Sequence, residues 1–274
     1  MTPGAASLEA RDSGTERLLV AVGGGVARIT FNNPEKHNAL TADMRAALPG
    51  VLARLGEDPG VRVIVLTGAG ERAFVSGADI SEFDGQRDTP EARSAYDRGW
   101  AAVAEAWAAV ERPVLAMIRG YCIGGGLMTA MQADIRVAAE GSQFGIPAAR
   151  LGLGYGYGGV RALVDLVGPA WAAEILFSAR RLSAEEALRI GLVNRVVPAA
   201  RLEEEVMDLA GSIAANAPLT VAACKAAIRE AMRDPGRRDE ARVSRMVEAC
   251  FRSEDYVEGR RAFRERRPPS FSGR

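Results

Sequence analysis

Short runs of β-favouring apolar residues alternate with helical stretches through the first two thirds of this 274-residue chain. Residues 18–22 and 26–31 form two such runs around three glycines, which predicts a β-hairpin that ends at Asn33. Further runs at residues 61–67 and 114–118 indicate buried strands. The alternation of strands and helices is typical of an α/β protein.

The last third of the chain has helical periodicity almost throughout, interrupted by a short predicted strand at residues 195–197. Two helix starts carry capping signals, because Thr89 precedes Pro90, and Ser183 has Glu186 three residues later in a capping box. A further strand is predicted at residues 135–138. The predicted helices are 41–57 with an interruption at 49–50, 90–112, a short one opened by glycines 124–126, 183–191, 202–216, 218–232, and 239–274 with a break near 253.

These patterns divide the chain into three parts. We predict a flexible N-terminal tail over residues 1–17, a strand-rich core over 18–198 and a helical C-terminal region over 199–274. A chain of this length can bury a full hydrophobic core.

Composition excludes several classes of function. Apolar residues make up 48% and charged residues 26%, as in ordinary globular proteins, and 35 basic side chains balance 35 acidic ones. We therefore expect no nucleic-acid partner and no anionic membrane partner. A local basic pocket is still possible in a chain with equal numbers of basic and acidic residues. Only two of the basic residues are lysines, Lys36 and Lys225.

Cysteine and histidine usage favours a reduced, metal-free protein. Cys122, Cys224, Cys250 and the single histidine, His37, have no metal-ligand spacing, so we expect no metal site and a cytoplasmic location. The first sixteen residues lack the pattern of a secretion signal, and the most apolar later stretch is broken by Arg119 and glycines.

Three glycine clusters could bind an anion or a polarised carbonyl. Residues 154–159 fit the dinucleotide pattern G-x-G-x-x-G, but no strand is predicted directly before them, and Glu174, near the expected acidic position, falls in a helical run. Residues 120–126 instead link a buried strand to a helix start, where free N–H groups point outward. The loop at residues 74–79 also follows a strand, so one amide from each loop could form an oxyanion hole; a tight packing turn is the alternative.

Four segments together resemble the crotonase, or enoyl-CoA hydratase/isomerase, superfamily. They are N-P-E-K-H-N-A-L at 33–40, A-F-V-S-G-A-D-I at 73–80, G-Y-C-I-G-G-G at 120–126, and L-S-A-E-E-A through G-L-V-N at 182–194. The resemblance spans about residues 18–271. It implies a crotonase-like spiral of repeated ββα units with a helical C-terminal trimerisation region, assembled as a homotrimer or as a hexamer made of two trimers.

The resemblance also implies a ligand, an acyl-CoA thioester, with coenzyme A present as part of the substrate and no permanently bound cofactor. The amides of Ala78 and Gly125 would hold the thioester oxygen as it gains enolate character. Residues implied to contact the CoA portion are Lys36, Ala39, Leu40, Ser76, Ala78, Asp79, Ile80 and Phe263, with Arg267 near the last. Lys36 would face the CoA phosphates.

The chain departs from the family pattern at both usual catalytic acids. Hydratases of the family carry one glutamate in G-G-G-x-E and another in F-G-x-P-E, where this chain has Met128 and Ala148. The isomerase pattern, which keeps only the second acid, and the variant with an aspartate at the position of Gly156 are also absent. Hydration by a carboxylate pair is therefore chemically unsupported.

Two tyrosines are the candidate replacements. Tyr155 and Tyr157 follow Ala148 closely and could donate or relay a proton, while packing roles for both, with Arg150 in a surface ion pair, are the alternative. Asp79, rather than acting with Glu82 as an acid, is expected to pin its own loop. Met128 is expected to line the acyl pocket, Cys122 to be a buried apolar residue, and His37 to take no part.

Three hypotheses follow. The first is an acyl-CoA enzyme of the hydratase/isomerase type that stabilises a thioester enolate with atypical acid/base residues. The second is an acyl-CoA protein outside that pattern, either a non-catalytic binder or a decarboxylase-type enzyme. The third is a nucleotide-binding protein that uses residues 154–159.

Overall fold

A computed structural model of the chain describes residues 8–79, 81 and 89–274. The strands in this part, numbered along the chain, are β1 (Glu9–Arg11), β2 (Leu18–Gly23), β3 (Val26–Phe31), β4 (Val63–Gly68), β5 (Ala73–Val75), β6 (Val114–Ile118), β7 (Tyr121–Ile123), β8 (Ile135–Ala139), β9 (Gln143–Gly145), β10 (Leu182–Ser183) and β11 (Arg195–Val197). The helices are α1 (Ala42–Glu57), α2 (Pro90–Ala109), α3 (Gly125–Ala130), α4 (Tyr157–Ser178), α5 (Ala184–Arg189), α6 (Leu202–Ala214), α7 (Pro218–Ala231), α8 (Glu240–Arg252) and α9 (Glu254–Glu265).

Two sheets organise the first two thirds of the fold. Seven strands form the larger sheet in the order β1-β2-β3-β4-β6-β8-β11, antiparallel from β1 to β3 and parallel from β3 onward. Four short strands form the smaller sheet in the order β10-β9-β7-β5, in which β5, β7 and β9 run parallel. The predicted hairpin is confirmed as the pair β2 and β3.

A repeated ββα unit generates both sheets. In three successive units, the first strand joins the larger sheet and the second strand joins the smaller one; a helix follows. The units are β4-β5-α2, β6-β7-α3 and β8-β9-α4, the last with a short 3-10 helix (Pro147–Leu151) before α4. This confirms the predicted α/β class and its repeated ββα units, and it brings the ends of β5 and β7 side by side.

Both faces of the larger sheet are covered. Alternate residues of β4 and β6 point to opposite faces, as the two-residue period of a strand requires. Ile64 and Ala116 belong to the main core, which also includes residues of the smaller sheet, α1 and α4. Val65 and Leu115 belong to a second core formed with α6. The continuous apolar runs of these strands thus reflect burial on two sides.

Three local predictions were wrong. The helix expected to run to residue 274 ends at Glu265, and Pro268 and Pro269 follow in a segment without helix. Helix α1 runs through Pro49 without the expected interruption, because apolar residues on both sides of the proline, including Leu48 and Val51, are buried in the core and hold the helix together. The predicted tail also contains strand β1, whose exposed charged residues pair with β2 at the sheet edge and give no apolar signal.

No single described helix is both long enough and apolar enough to cross a membrane. One pair, Ala199–Ala214 with Pro218–Ala231, meets those two criteria jointly, and its members are bent by 106°.

Candidate active site

The loop after β5 presents the Ala78 amide. Leu40 and Ala78 form a parallel β-bridge, in which the Leu40 N–H donates to the Gly77 carbonyl at 2.8 Å and the Asp79 N–H donates to the Leu40 carbonyl at 2.9 Å. In such a bridge the neighbours of Ala78 make the hydrogen bonds, so the N–H of Ala78 itself points away from Leu40. Within the described residues, the Ala78 amide makes no backbone hydrogen bond.

The second amide lies at the start of α3. Gly124 adopts a positive φ of 56° and donates its own N–H to the Gly145 carbonyl at 2.8 Å, which turns the chain from β7 into the helix. Gly125 is the first residue of α3, so its N–H has no acceptor within the helix. A Cβ placed on Gly125 would lie 3.5 Å from the Ala78 nitrogen. The two amide-bearing segments are therefore adjacent, as the sequence predicted.

Glycine is required where these segments pack. A Cβ on Gly126 would lie 1.9 Å from the Val75 carbonyl oxygen, and one on Gly120 would lie 2.0 Å from the Arg72 carbonyl oxygen. Both contacts are with backbone atoms, which cannot move aside as a side chain would. The glycine cluster therefore permits close approach of β7 and α3 to β5.

The turn at residues 36–40 is fastened to the loop that carries Ala78. The Lys36 ammonium donates to Asp79 Oδ2 and to Ser81 Oγ, both at 2.8 Å. The Ser76 N–H donates to the His37 carbonyl at 3.1 Å, and its hydroxyl donates to the Lys36 carbonyl at 3.2 Å. Ala39 and Leu40 are buried beneath this contact. Six of the residues predicted to contact CoA are thus brought together, with Ala78 joined to Leu40 by the β-bridge.

Asp79 is buried and ionised. Burial alone would raise the pKa of its carboxyl, but hydrogen bonds from Lys36 and Ser81 outweigh burial and bring the pKa below its ordinary value of 3.8. Its Oδ1 accepts the Ser81 N–H at 3.1 Å and the Ser81 hydroxyl at 2.7 Å. This confirms the expectation that Asp79 pins its own loop. Ile80 and Glu82 lie outside the described residues.

Two buried asparagines that sequence reasoning did not assign also support this region. The Asn38 amide group donates to the carbonyls of Ala69 (2.9 Å) and Ala73 (2.7 Å), and its side-chain oxygen accepts the Asn33 N–H at 3.0 Å. Asn38 also holds a positive φ of 56°, which asparagine tolerates well. The available signal was that asparagine is favoured in turns and that both residues belong to the motif at 33–40.

The resemblance assigns Met128 and Ala148 to the positions of the family's two acids, and this assignment stays a prediction. Ala148 is buried in the main core. The Met128 side chain reaches the first turn of α4, where a Cβ on Gly159 would lie 2.8 Å from the Met128 Cε and 3.2 Å from the Tyr155 Cε1. The Met128 thioether therefore lies near the Tyr155 ring.

The two candidate tyrosines have different surroundings. Tyr155 packs against the main core, and burial raises the pKa of its phenol well above the ordinary value of 10.0. A neutral phenol can donate a proton but cannot act as a base near pH 7. Tyr157 begins α4, is 78% exposed in the single chain, and hydrogen bonds Arg161. Arg150 is also exposed.

The remaining reactive residues have structural surroundings. Cys122 is fully buried in β7, and this burial raises the pKa of its thiol far above the ordinary value of 9.0, so it stays protonated. The His37 ring packs edge-on against Tyr121 at 5.7 Å between centroids. No group of three potential metal-ligating side chains occurs within the described residues.

Phe263 and Arg267 lie in the C-terminal region. Phe263 is 87% exposed on α9 and lines a groove of about 770 Å³ whose described lining residues all fall between 217 and 271. Arg267 is paired with Glu258 and Glu265. Neither residue is therefore grouped with the two amide loops in the single chain.

The glycine-rich loop at residues 154–159 lacks the surroundings of a dinucleotide site. It follows the 3-10 helix Pro147–Leu151 rather than a buried strand, and Glu174 lies within α4. A dinucleotide fingerprint requires a strand directly before the loop and an acidic residue at a later strand end, so this geometry argues against the nucleotide-binding hypothesis.

The sequence model for the family described as enoyl-CoA hydratase/isomerase matches residues 21–274, so the chain belongs to this family, the crotonase superfamily predicted from its motifs. The short-chain-enoyl-CoA hydratase of Clostridium acetobutylicum is 38% identical over 244 residues, covering 89% of this chain and 93% of that protein. The carnitinyl-CoA dehydratase of Salmonella typhi is 36% identical over 264 residues, covering 95% of this chain and 100% of that protein.

Solved structures agree with this assignment. The crystal structure of an enoyl-CoA hydratase/carnithine racemase from Magnetospirillum magneticum superposes with a TM-score of 0.88 at 36% identity, covering 95% of this chain and 97% of that one. An enoyl-CoA hydratase from Bacillus anthracis gives a TM-score of 0.85 at 30% identity, covering 97% and 99%. The crotonase-like fold therefore extends over nearly the whole chain.

Proposed function

We propose that this protein binds an acyl-CoA thioester and stabilises its enolate between the amides of Ala78 and Gly125. The observation that carries the proposal is the adjacency of these two amide-bearing loops, with both N–H groups outside the backbone hydrogen bonding of the described residues. Two donors aimed at one developing oxyanion stabilise it strongly in a site that excludes water. Similarity to relatives named as CoA hydratases and dehydratases supports the choice of ligand.

Coenzyme A enters this proposal as part of the substrate, without a resident cofactor. Its nucleotide portion would run along the turn at residues 36–40 and the loop that carries Ser76, Ala78 and Asp79, which lie against each other. Ile80 belongs to the same proposed channel through its position in the motif. Phe263 and Arg267 would reach CoA as a cover from the C-terminal region.

The acid/base chemistry proposed for this site does not rely on the usual carboxylates. With Met128 and Ala148 at the two acid positions, the chain has no glutamate at either place to activate water for addition to an enoyl thioester. The neutral Tyr155 phenol beside Met128 is the best-placed proton donor. Tyr157 is less suited to donate a proton in the site, because its side chain is exposed. We therefore expect slow hydration.

A decarboxylase-type reaction is the second candidate, favoured by the same half-buried phenol. The bond from the α-carbon to a carboxylate would break, CO2 would leave, and the electron pair would form the enolate held by Ala78 and Gly125. Tyr155 would then supply the proton to the α-carbon, and water would restore the phenol. This reaction needs no general base.

Turnover assays separate these candidates. The wild type should hydrate crotonyl-CoA slowly; release of CO2 from malonyl-CoA would favour the decarboxylase. Tyr155→Phe should lower whichever reaction is found by about 100-fold or more, Tyr157→Phe should have a smaller effect, and Tyr256→Phe on α9 serves as the control. Binding of both thioesters without any turnover would favour a non-catalytic binder. No binding of either would contradict the proposal.

A gain-of-function variant tests the acid positions directly. Met128→Glu combined with Ala148→Glu should raise crotonyl-CoA hydration if the two-amide cradle is intact, because it supplies both carboxylates. Ala148→Gln combined with Met128→Gln is the uncharged control. A folded, thioester-binding double glutamate variant with no gain would show that the surrounding pocket does not suit hydration.

We also propose that the protein acts as a homotrimer or a hexamer in the cytoplasm, without nucleic-acid or membrane partners. Helices α7, α8 and α9 expose apolar side chains around the 770 Å³ groove, among them Phe251, Val247 and Phe263. Such a face is typical of a surface covered by another chain. The balanced charge supports the expectation of no nucleic-acid or membrane partner. The three free cysteines support a cytoplasmic location.

A further inference from the structure

We infer that Lys36 is a positioning residue, which sets the direction of the Ala78 amide by clasping Asp79 and Ser81. This inference rests on the proposed function, because it concerns the amide that would hold the thioester oxygen. It differs from the expectation that Lys36 contacts a CoA phosphate, which stays a prediction.

The contacts of Lys36 with Asp79 and Ser81, here called the clasp, close a ring of contacts around Ala78. Lys36 begins the turn that ends at Leu40, Leu40 bridges to Ala78, and Asp79 follows Ala78 and returns to the Lys36 ammonium at 2.8 Å. The ring joins residues 43 positions apart in the chain. Ser81 links both partners of the ion pair, because its hydroxyl receives a hydrogen bond from Lys36 and donates one to Asp79.

Because of this ring, the direction of the Ala78 N–H depends on the ion pair. The peptide that carries the amide lies between two hydrogen bonds, from Leu40 to Gly77 and from Asp79 to Leu40. Loss of the Lys36 contact leaves the buried Asp79 carboxylate without its cation, which is costly enough to drive the loop toward water. The loop would then move away from Leu40, and both hydrogen bonds would open together more often.

Burial explains why this pair differs from an ordinary surface pair. The Asp79 side chain is only 7% exposed, while the Lys36 side chain is 49% exposed. A carboxylate in that position depends on its hydrogen bonds, and two of its partners come from Lys36 and Ser81. By contrast, Arg201 and Glu205 form an ion pair at the start of α6 at 2.7 Å with more exposed side chains, which makes Arg201→Met a matched control.

The first measurement uses the protein without ligand. In Lys36→Met, hydrogen exchange of the Leu40 and Asp79 amides should be roughly tenfold faster or more, since both bonds belong to the ring. Lys36→Arg, which keeps the charge, should restore part of the protection. Arg201→Met should leave both amides unchanged. Unchanged exchange in Lys36→Met would overturn the clasp.

The second measurement reports the amide's action on a thioester carbonyl. The probe is cinnamoyl-CoA with a para-dimethylamino group, whose absorption band moves to longer wavelength when its carbonyl is polarised. The wild type should bind it with such a band shift. Lys36→Met at saturating probe should lose most of the shift, and Lys36→Arg should regain part of it. A purely phosphate-binding Lys36 would instead weaken affinity and leave the shift at saturation intact, which would overturn the inference.

The outcomes also separate this inference from the proposed function. Probe bound to the wild type without a band shift would overturn the two-amide oxyanion hole and the positioning role together. A normal shift in the wild type that persists in Lys36→Met would overturn the positioning role alone. If Lys36→Met does not fold, Ser81→Ala removes one member of the clasp and should give faster exchange and a smaller shift; no change in either would count against the clasp.

Discussion

At the residue scale, the glycines of the two loops determine how closely the candidate site can pack. Gly126 and Gly120 each face a backbone carbonyl at a distance that no Cβ can occupy. At Gly126 glycine is required by space rather than by local conformation, because this residue lies within helix α3, whereas Gly120 also has a positive φ of 67°. By contrast, a Cβ on Gly158 in the first turn of α4 would meet nothing within 4 Å.

Gly126→Ala should therefore destabilise the fold. We expect a loss of about 3 kcal/mol in the free energy of unfolding, because β5 or α3 must shift to admit the methyl group. Gly158→Ala, a matched substitution in a helix, should change it by no more than about 1 kcal/mol. Denaturant unfolding at one protein concentration measures both. Equal effects of the two variants would contradict the role assigned to Gly126.

At the scale of elements, the starts of α2 and α5 follow from local capping residues. The Thr89 hydroxyl accepts the Ala92 N–H at 3.1 Å, and the Ser183 and Glu186 side chains form both bonds of the predicted capping box. These interactions span three residues, so a sequence pattern is enough to predict them. The short strands β5, β7 and β9, by contrast, have three residues each and form only because the ββα path brings them together.

Ser183→Ala tests the capping box at the start of α5. Removing the hydroxyl leaves the Glu186 N–H without its acceptor, and we expect a loss of about 1 kcal/mol in the free energy of unfolding. Ser244→Ala within α8, where the hydroxyl returns to the Glu240 carbonyl, should be neutral or slightly stabilising. Chemical denaturation at fixed protein concentration compares the two variants, and a neutral Ser183→Ala would count against the box.

At the scale of the whole molecule, two carboxylates on α9 hydrogen bond to the C-terminal segment at residues 267–273. Glu258 accepts hydrogen bonds from the Arg267 guanidinium at 2.6 Å and from the Ser270 N–H at 3.1 Å. Asp255 accepts the Ser272 N–H at 2.7 Å. Hydrogen bonds from Arg267, Arg261 and Ser270 bring the pKa of Glu258 well below its ordinary value of 4.5.

This shift predicts an acid-dependent loss of stability. A carboxyl with a lowered pKa in the folded state stabilises the fold above its unfolded pKa, near 4.5, and this contribution is lost as pH falls through the lowered value. Glu258→Gln should therefore be less stable than the wild type at pH 7, and the difference should shrink as pH falls below about 4.5. Thermal unfolding across pH measures this, with Glu248→Gln in an exposed pair as control. A constant difference would exclude the linkage.

The exposed apolar face of the C-terminal helices carries the prediction about assembly. Phe251 is 58% exposed on α8 in the single chain, and a charge placed there would be buried in the proposed trimer. Phe251→Glu should shift the sedimentation coefficient toward that of a monomer, while Leu19→Glu on β2 should leave it unchanged. A wild type that sediments as a monomer would contradict the assembly proposal.

The sequence by itself determined the α/β class, the helix starts at Thr89 and Ser183, and the two glycine loops, because each depends on residues a few positions apart. Only the tertiary structure decided that Lys36 pairs with Asp79 across 43 positions, that α1 continues through Pro49, and that Met128 lies beside Tyr155. Those features depend on which distant segments the chain path brings together and how deeply they are buried. Local patterns can indicate that a strand is buried, but they do not show which distant segments meet.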